Sequence, residues 1–62
     1  MDKKYTISVE FEKFTKNYEH VHEYGIIPGA DGADNILRII DKRGTEHNYN
    51  MGKVLAYHVE EE

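Results

Sequence analysis

Four histidines stand among the 62 residues, and two of them, His20 and His22, lie two positions apart. On an extended chain that spacing puts both imidazoles on one side, with roughly 6.5–7 Å between their backbones. Imidazole nitrogen is a zinc ligand, and two such rings could converge on one ion. A third ligand would come from His58, His47 or a nearby glutamate, but no fixed spacing marks one. Imidazole also titrates near neutral pH, so a pH-sensitive contact is a second use. The plainer reading is preferred: half-exposed strand residues beside Tyr18 and Tyr24, offering a surface for a partner.

Other chemistries find fewer residues. Ser8 is the only serine, and it lacks the Gly-x-Ser-x-Gly elbow that would expose and activate a nucleophile. Glu10 and Glu12 alternate with Val9 and Phe11, which makes them the wet face of a strand rather than an acid/base pair across a cleft. The loop Gly29-Ala30-Asp31-Gly32-Ala33-Asp34 has no Gly-Lys-Ser/Thr ending for a phosphate, and its acids miss the calcium-loop spacing. Without cysteine, thiolate metal sites and disulfides are excluded. The expectation is a non-enzymatic chain with no cofactor.

The elements that would carry these residues read as β structure. Tyr5, Ile7, Val9 and Phe11 alternate with polar residues over 5–12, the pattern of a half-buried strand. Residues 13–27 admit two readings. Phe11, Phe14, Tyr18 and Val21 fall at helical spacing, so a short helix around 15–24 is the alternative. Yet Tyr, His, Val, Thr and Asn dominate and Ala and Leu are missing, which favours a hairpin turning near Thr15-Lys16-Asn17. As a strand, Tyr18, His20, His22 and Tyr24 share one face. Pro28 to Asp34 form a loop. Residues 36–41 follow as a strand, Asp41-Lys42-Arg43-Gly44 as a tight turn, 45–51 as a strand and 54–59 as the last one. The fold class expected is mostly β, a small antiparallel sheet or barrel of four to five strands. Residues 1–59 form one domain, and Glu60, Glu61 and Glu62 form an acidic, solvated tail.

Charge narrows the partners. Eight basic and twelve acidic residues give a net charge of −4. The lysines and arginines are scattered among acids, which argues against nucleic acid, since counterion release needs them clustered. No apolar run is long enough for a membrane helix, and the N-terminus has no apolar signal-type stretch. A cytoplasmic setting is expected.

Small size bears on assembly. A chain of this length buries only about 60% of its extended surface on folding. Yet Ile36 and Ile40 point away from Leu37 and Ile39, and Val54 and Ala56 away from Leu55 and Tyr57. These opposed apolar residues, Ile36, Ile40, Val54 and Ala56, are the candidates for an interface with another copy, in a homodimer or higher oligomer. Most of the seven aromatics are expected in the core, the rest at an interface.

Leu37-Arg-Ile-Ile-Asp-Lys-Arg-Gly44, followed by Tyr49-Asn-Met-Gly-Lys-Val54-Leu-Ala-Tyr-His-Val59, resembles a layout found in small uncharacterised β-rich proteins of bacteriophages and their bacterial hosts. The resemblance spans residues 36–60. It implies a phage or bacterial cytoplasmic setting and transfers no functional residue. The leading expectation is a protein-binding module acting on a bacterial protein, with inhibition of a host or defence protein as one form. The alternatives are a small nucleic-acid- or ligand-binding barrel using its tyrosines, and a structural or assembly subunit.

Overall fold

The computed structural model describes residues 3–62. Its strands are β1 (Tyr5–Glu10), β2 (Thr15–Val21), β3 (Glu23–Ile27), β4 (Ile36–Ile40), β5 (Glu46–Asn50) and β6 (Ala56–Glu61), with one 3-10 turn at Met51–Lys53. They form two antiparallel sheets, ordered β2-β1-β6 and β3-β4-β5. The expected β class and antiparallel pairing are present. The details differ: the described residues form six strands, in two separate sheets rather than a closed barrel. Residues 15–21 and 23–24 are strand, joined through His22, rather than the alternative helix.

Period-two alternation explains the core. Ile7 and Val9 of β1 and Leu37 and Ile39 of β4 point inward, and with Val21 they form one fully buried cluster. The central strand of each sheet therefore supplies the core between them. Around it pack Tyr5, Phe11, Tyr18, Tyr49, Met51, Val54 and Val59. An aromatic rim closes what five small aliphatics cannot. Tyr5 of β1 meets Tyr24 of β3 edge-on, with ring centroids 5.0 Å apart, and Phe11 meets Tyr49 of β5 at 5.3 Å.

The segment that read ambiguously is resolved by a bulge. Ile7 pairs with Tyr18, and Tyr5 pairs with Val21. Two steps on β1 thus face three on β2, so β2 carries one extra residue. His20 absorbs it with a left-handed φ of 57°. Tyr18 and Val21 consequently both face the core although they are three apart. Their helix-like spacing is the mark of this bulge. The hairpin turns earlier than expected, at 11–14, where the Phe11 N–H donates to the Phe14 carbonyl at 2.8 Å. A single residue, His22, then carries the chain from one sheet to the other, its N–H donating to the Ile40 carbonyl at 3.0 Å.

The Asp41–Gly44 turn forms as its sequence suggests. Gly44 sits at φ 82° and donates its N–H to the Asp41 carbonyl at 2.9 Å. The acidic end does not behave as a separate tail. Tyr5 pairs with Glu61 and Thr6 with Glu60, and the Glu62 N–H donates to the Lys4 carbonyl at 2.8 Å. Strand pairing with β1 outweighs the charge of three successive glutamates, because each backbone bond also extends the sheet over the core.

Candidate functional site

Three groups of side chains come together, and each must be weighed. The first lies at one end of the sandwich. The β1–β2 turn stacks Phe11 on Phe14, with centroids 4.7 Å apart and planes 26° off parallel. The turn leans over β5 and the connection into β6. Between them opens a cleft of about 740 Å³, lined by Phe11, Phe14, Tyr49 and Leu55, with Lys13, Lys53, Glu12, Asn48 and Asn50 around them. Its apolar parts are poorly covered: Phe14 is 54% exposed and Leu55 70%. Phe11 reaches the core and Phe14 does not, so the stacked pair presents a ring face to solvent on a rigid base. Two lysines against one glutamate make this lining locally positive on a chain that is negative as a whole.

The second group surrounds Asp41. Its Oδ1 accepts from the N–H of Arg43 at 2.9 Å and of Thr45 at 3.0 Å. Its Oδ2 lies 2.8 Å from His47 Nε2. These bonds, the His47 contact foremost, hold the carboxyl below the usual aspartate range. His47 packs against the Tyr18 ring, with centroids 5.0 Å apart, and the Tyr18 and Tyr49 hydroxyls hydrogen-bond to each other. Burial, reinforced by that bond, pushes the Tyr18 hydroxyl pKa well up. An Asp-His-Tyr-Tyr chain resembles a proton relay. Here, though, His47 and Tyr18 meet by ring packing rather than by a hydrogen bond, so no path for a proton joins the two halves. The arrangement pins the β4–β5 turn to β2.

The third group is a clamp on the bulge. Glu62 Oε2 accepts from the backbone N–H of His20 at 2.8 Å and from Thr6 Oγ1 at 2.7 Å. Its Oε1 lies 2.7 Å from His20 Nδ1. The His20 N–H, then the Thr6 hydroxyl and the His20 ring, lower this carboxyl to about 2. The carboxylate thus satisfies the N–H that the bulge removes from the ladder.

The histidines separate as a result. Unbroken alternation would put Tyr18, His20, His22 and Tyr24 on one face. The bulge at His20 and the sheet crossing at His22 break it. Tyr18 turns inward, His20 is held by Glu62, and His22 Nε2 lies 3.3 Å from the Lys42 carbonyl. Tyr24 belongs to the other sheet. His58, on β6, lies opposite Ser8 of β1, with its Nε2 3.9 Å from Glu10 Oε2. Among the described residues, no three His, Cys, Asp or Glu side chains are grouped to hold a metal.

The four interface candidates do not form one surface either. Ile36 and Ile40 lie on the outer face of the β3-β4-β5 sheet, either side of Arg38, which pairs with Glu46 at 3.3 Å and Glu23 at 3.8 Å. Ala56 lies opposite Glu10 on the other sheet. Val54 packs against the core, while its neighbour Leu55 is exposed. At Val54 and Leu55 the expected alternation is reversed, because the strand starts only at Ala56 and Val54 still belongs to the turn; from Ala56 on it holds, with Tyr57 opposite Val9 and Val59 opposite Ile7. Phe14, Leu55, Lys13 and Lys53 were not singled out from sequence. Two phenylalanines three apart, directly after a strand, were the available signal of an aromatic turn.

No protein-family model matches the chain, and neither a curated protein nor a solved structure shows significant similarity to it.

Proposed function

We propose that this chain is a non-enzymatic protein-binding module whose contact site is the Phe14–Leu55 cleft. The observation that carries the reading is exposure. Two large apolar side chains stand in solvent at the mouth of one cleft, while five apolar side chains among the described residues are fully buried. Partly buried apolar anchors ringed by polar groups are the usual centre of a protein contact. Lys13 and Lys53 beside them suit an extended partner segment that carries an apolar side chain between acidic ones. The resemblance of residues 36–60 to small phage and bacterial proteins makes a bacterial cytoplasmic protein the partner in this reading, with inhibition of a host or defence protein as the consequence of binding.

The test places a photo-crosslinking side chain at position 12, on the rim of the cleft, and identifies what it captures in bacterial cells. A defined protein should be captured, through a segment of the stated chemistry, and Leu55→Ala should abolish the capture. A captured protein whose yield is unchanged by Phe14→Ala and Leu55→Ala would overturn the site. Salt-dependent binding of a thymidine oligonucleotide, lost with Phe14→Ala, would replace the reading by base stacking on the Phe pair.

A further inference from the structure

The sheets have four edge strands, β2, β6, β3 and β5. An open edge presents unpaired N–H and C=O groups, and proteins guard such edges with charge, bulges or prolines. Three of these edges are guarded. β2 carries Lys16, Glu19 and the bulge at His20. β5 reads Glu-His-Asn-Tyr-Asn. β6 carries Glu60 and Glu61. The fourth, β3, is not: after Glu23 it reads Tyr-Gly-Ile-Ile. Its side chains are uncovered, with Tyr24 38%, Ile26 40% and Ile27 43% exposed, beside Ile36 at 36%. Tyr24 and Ile26 stand on the core side of the sheet and Ile27 and Ile36 on its outer side, so this edge is apolar on both faces.

We infer that β3 pairs with the β3 strand of a second copy, antiparallel about a two-fold axis at Gly25. Self-complementarity identifies the occupant. In this register Tyr24 of each copy faces Ile26 of the other on the core side of the sheet. Aromatic and β-branched residues are favourable cross-strand partners. Gly25 faces its own mate, and Ile27 faces Glu23. Like charges are kept apart, since the two Glu23 carboxylates fall at opposite ends of the pair, each near its own Arg38. Pro28, which has no N–H, lies outside the paired stretch. The two β3-β4-β5 sheets become one continuous sheet. Of the four candidates Ile36, Ile40, Val54 and Ala56, this surface keeps only Ile36, beside Ile27, and it shares no residue with the Phe14–Leu55 cleft. One strand pair and one small patch make a reversible contact.

The absence of cysteine allows a clean test. A Cβ at Gly25 meets nothing within 4 Å, so Gly25→Cys leaves the fold intact. It places two thiols at directly opposed positions of the strand pair. Under mild oxidation, Gly25→Cys should form disulfide-linked dimers roughly tenfold faster than Asn48→Cys on β5, since only the first is preoriented. Sedimentation should show the unmodified chain dimerising at high micromolar concentration. Ile26→Lys, folded by circular dichroism, should sediment as a monomer there. Equal cross-linking rates at 25 and 48, or an unmodified chain that stays monomeric, would overturn the inference. So would a dimer that persists in folded Ile26→Lys.

Discussion

Replacing His20 tests the bulge, on which the separation of the histidines depends. His20 has φ 57°, a conformation that costs an L-residue about 1–2 kcal/mol relative to right-handed backbone. Glycine avoids that cost but loses more freedom on folding, which opposes it by about 0.4–1 kcal/mol. His20→Gly and His20→Ala both remove the ring contact with Glu62 Oε1, and both keep the backbone N–H that donates to Oε2. Their difference therefore isolates the backbone term. The glycine variant should be more stable than the alanine variant by about 0.5–1 kcal/mol. In urea, with a slope of about 1 kcal/mol/M for so small a chain, the midpoints should differ by about 0.5–1 M. An alanine variant as stable as the glycine one would mean that residue 20 is not left-handed. The register shift between Tyr5 and Ile7 would then have to be reassigned.

Truncating the core should be far more damaging. Leu37 is fully buried, so Leu37→Ala should cost about 2–5 kcal/mol, against a total stability of about 3–9 kcal/mol for this length. Thermal melting should show a largely unfolded chain, whereas Leu55→Ala should leave the melt nearly unchanged. Acid should loosen the clamp and the turn. Asp41 and Glu62 have folded-state pKa values below their ordinary ones. They therefore contribute stability that is fully present above the ordinary carboxylate range and is lost as pH falls through the folded values, toward about 2 for Glu62. Glu62→Gln should flatten that part of the acid limb in melts taken from neutral to strongly acidic pH, and an unchanged limb would refute the clamp. At the candidate site, Phe14→Ala should lower stability only by its stack on Phe11, about 0.5–1.5 kcal/mol, while abolishing capture of the partner; a merely structural Phe14 would lose stability without losing capture.

Local pattern was legible where one face of a strand is buried. The alternation of Tyr5, Ile7, Val9 and Phe11, and of Leu37 and Ile39 against Arg38, records which side of each sheet meets the core. The Asp41–Gly44 turn was legible because only certain residues fit its backbone. The histidine face was not. Period-two reasoning assumes an unbroken ladder, and one extra residue at His20 turns Val21 inward before the chain crosses to the other sheet at His22. The site was hidden for a related reason. Whether Phe14 and Leu55 are buried depends on how far the 11–14 turn stands from β5, which alternation does not encode.

The sequence by itself determined the β class, the Asp41–Gly44 turn and the inner faces of β1 and β4. These follow from backbone preference and from the period at which apolar side chains recur, both local properties. Tertiary structure alone decided that six strands divide into two sheets. It also decided that the acidic end joins β1 and that Val54 turns in while Leu55 turns out. It left β3 as the one apolar edge. Those outcomes depend on which strands find each other across the chain. That pairing is settled by packing the shared core, not by the residues of any one segment.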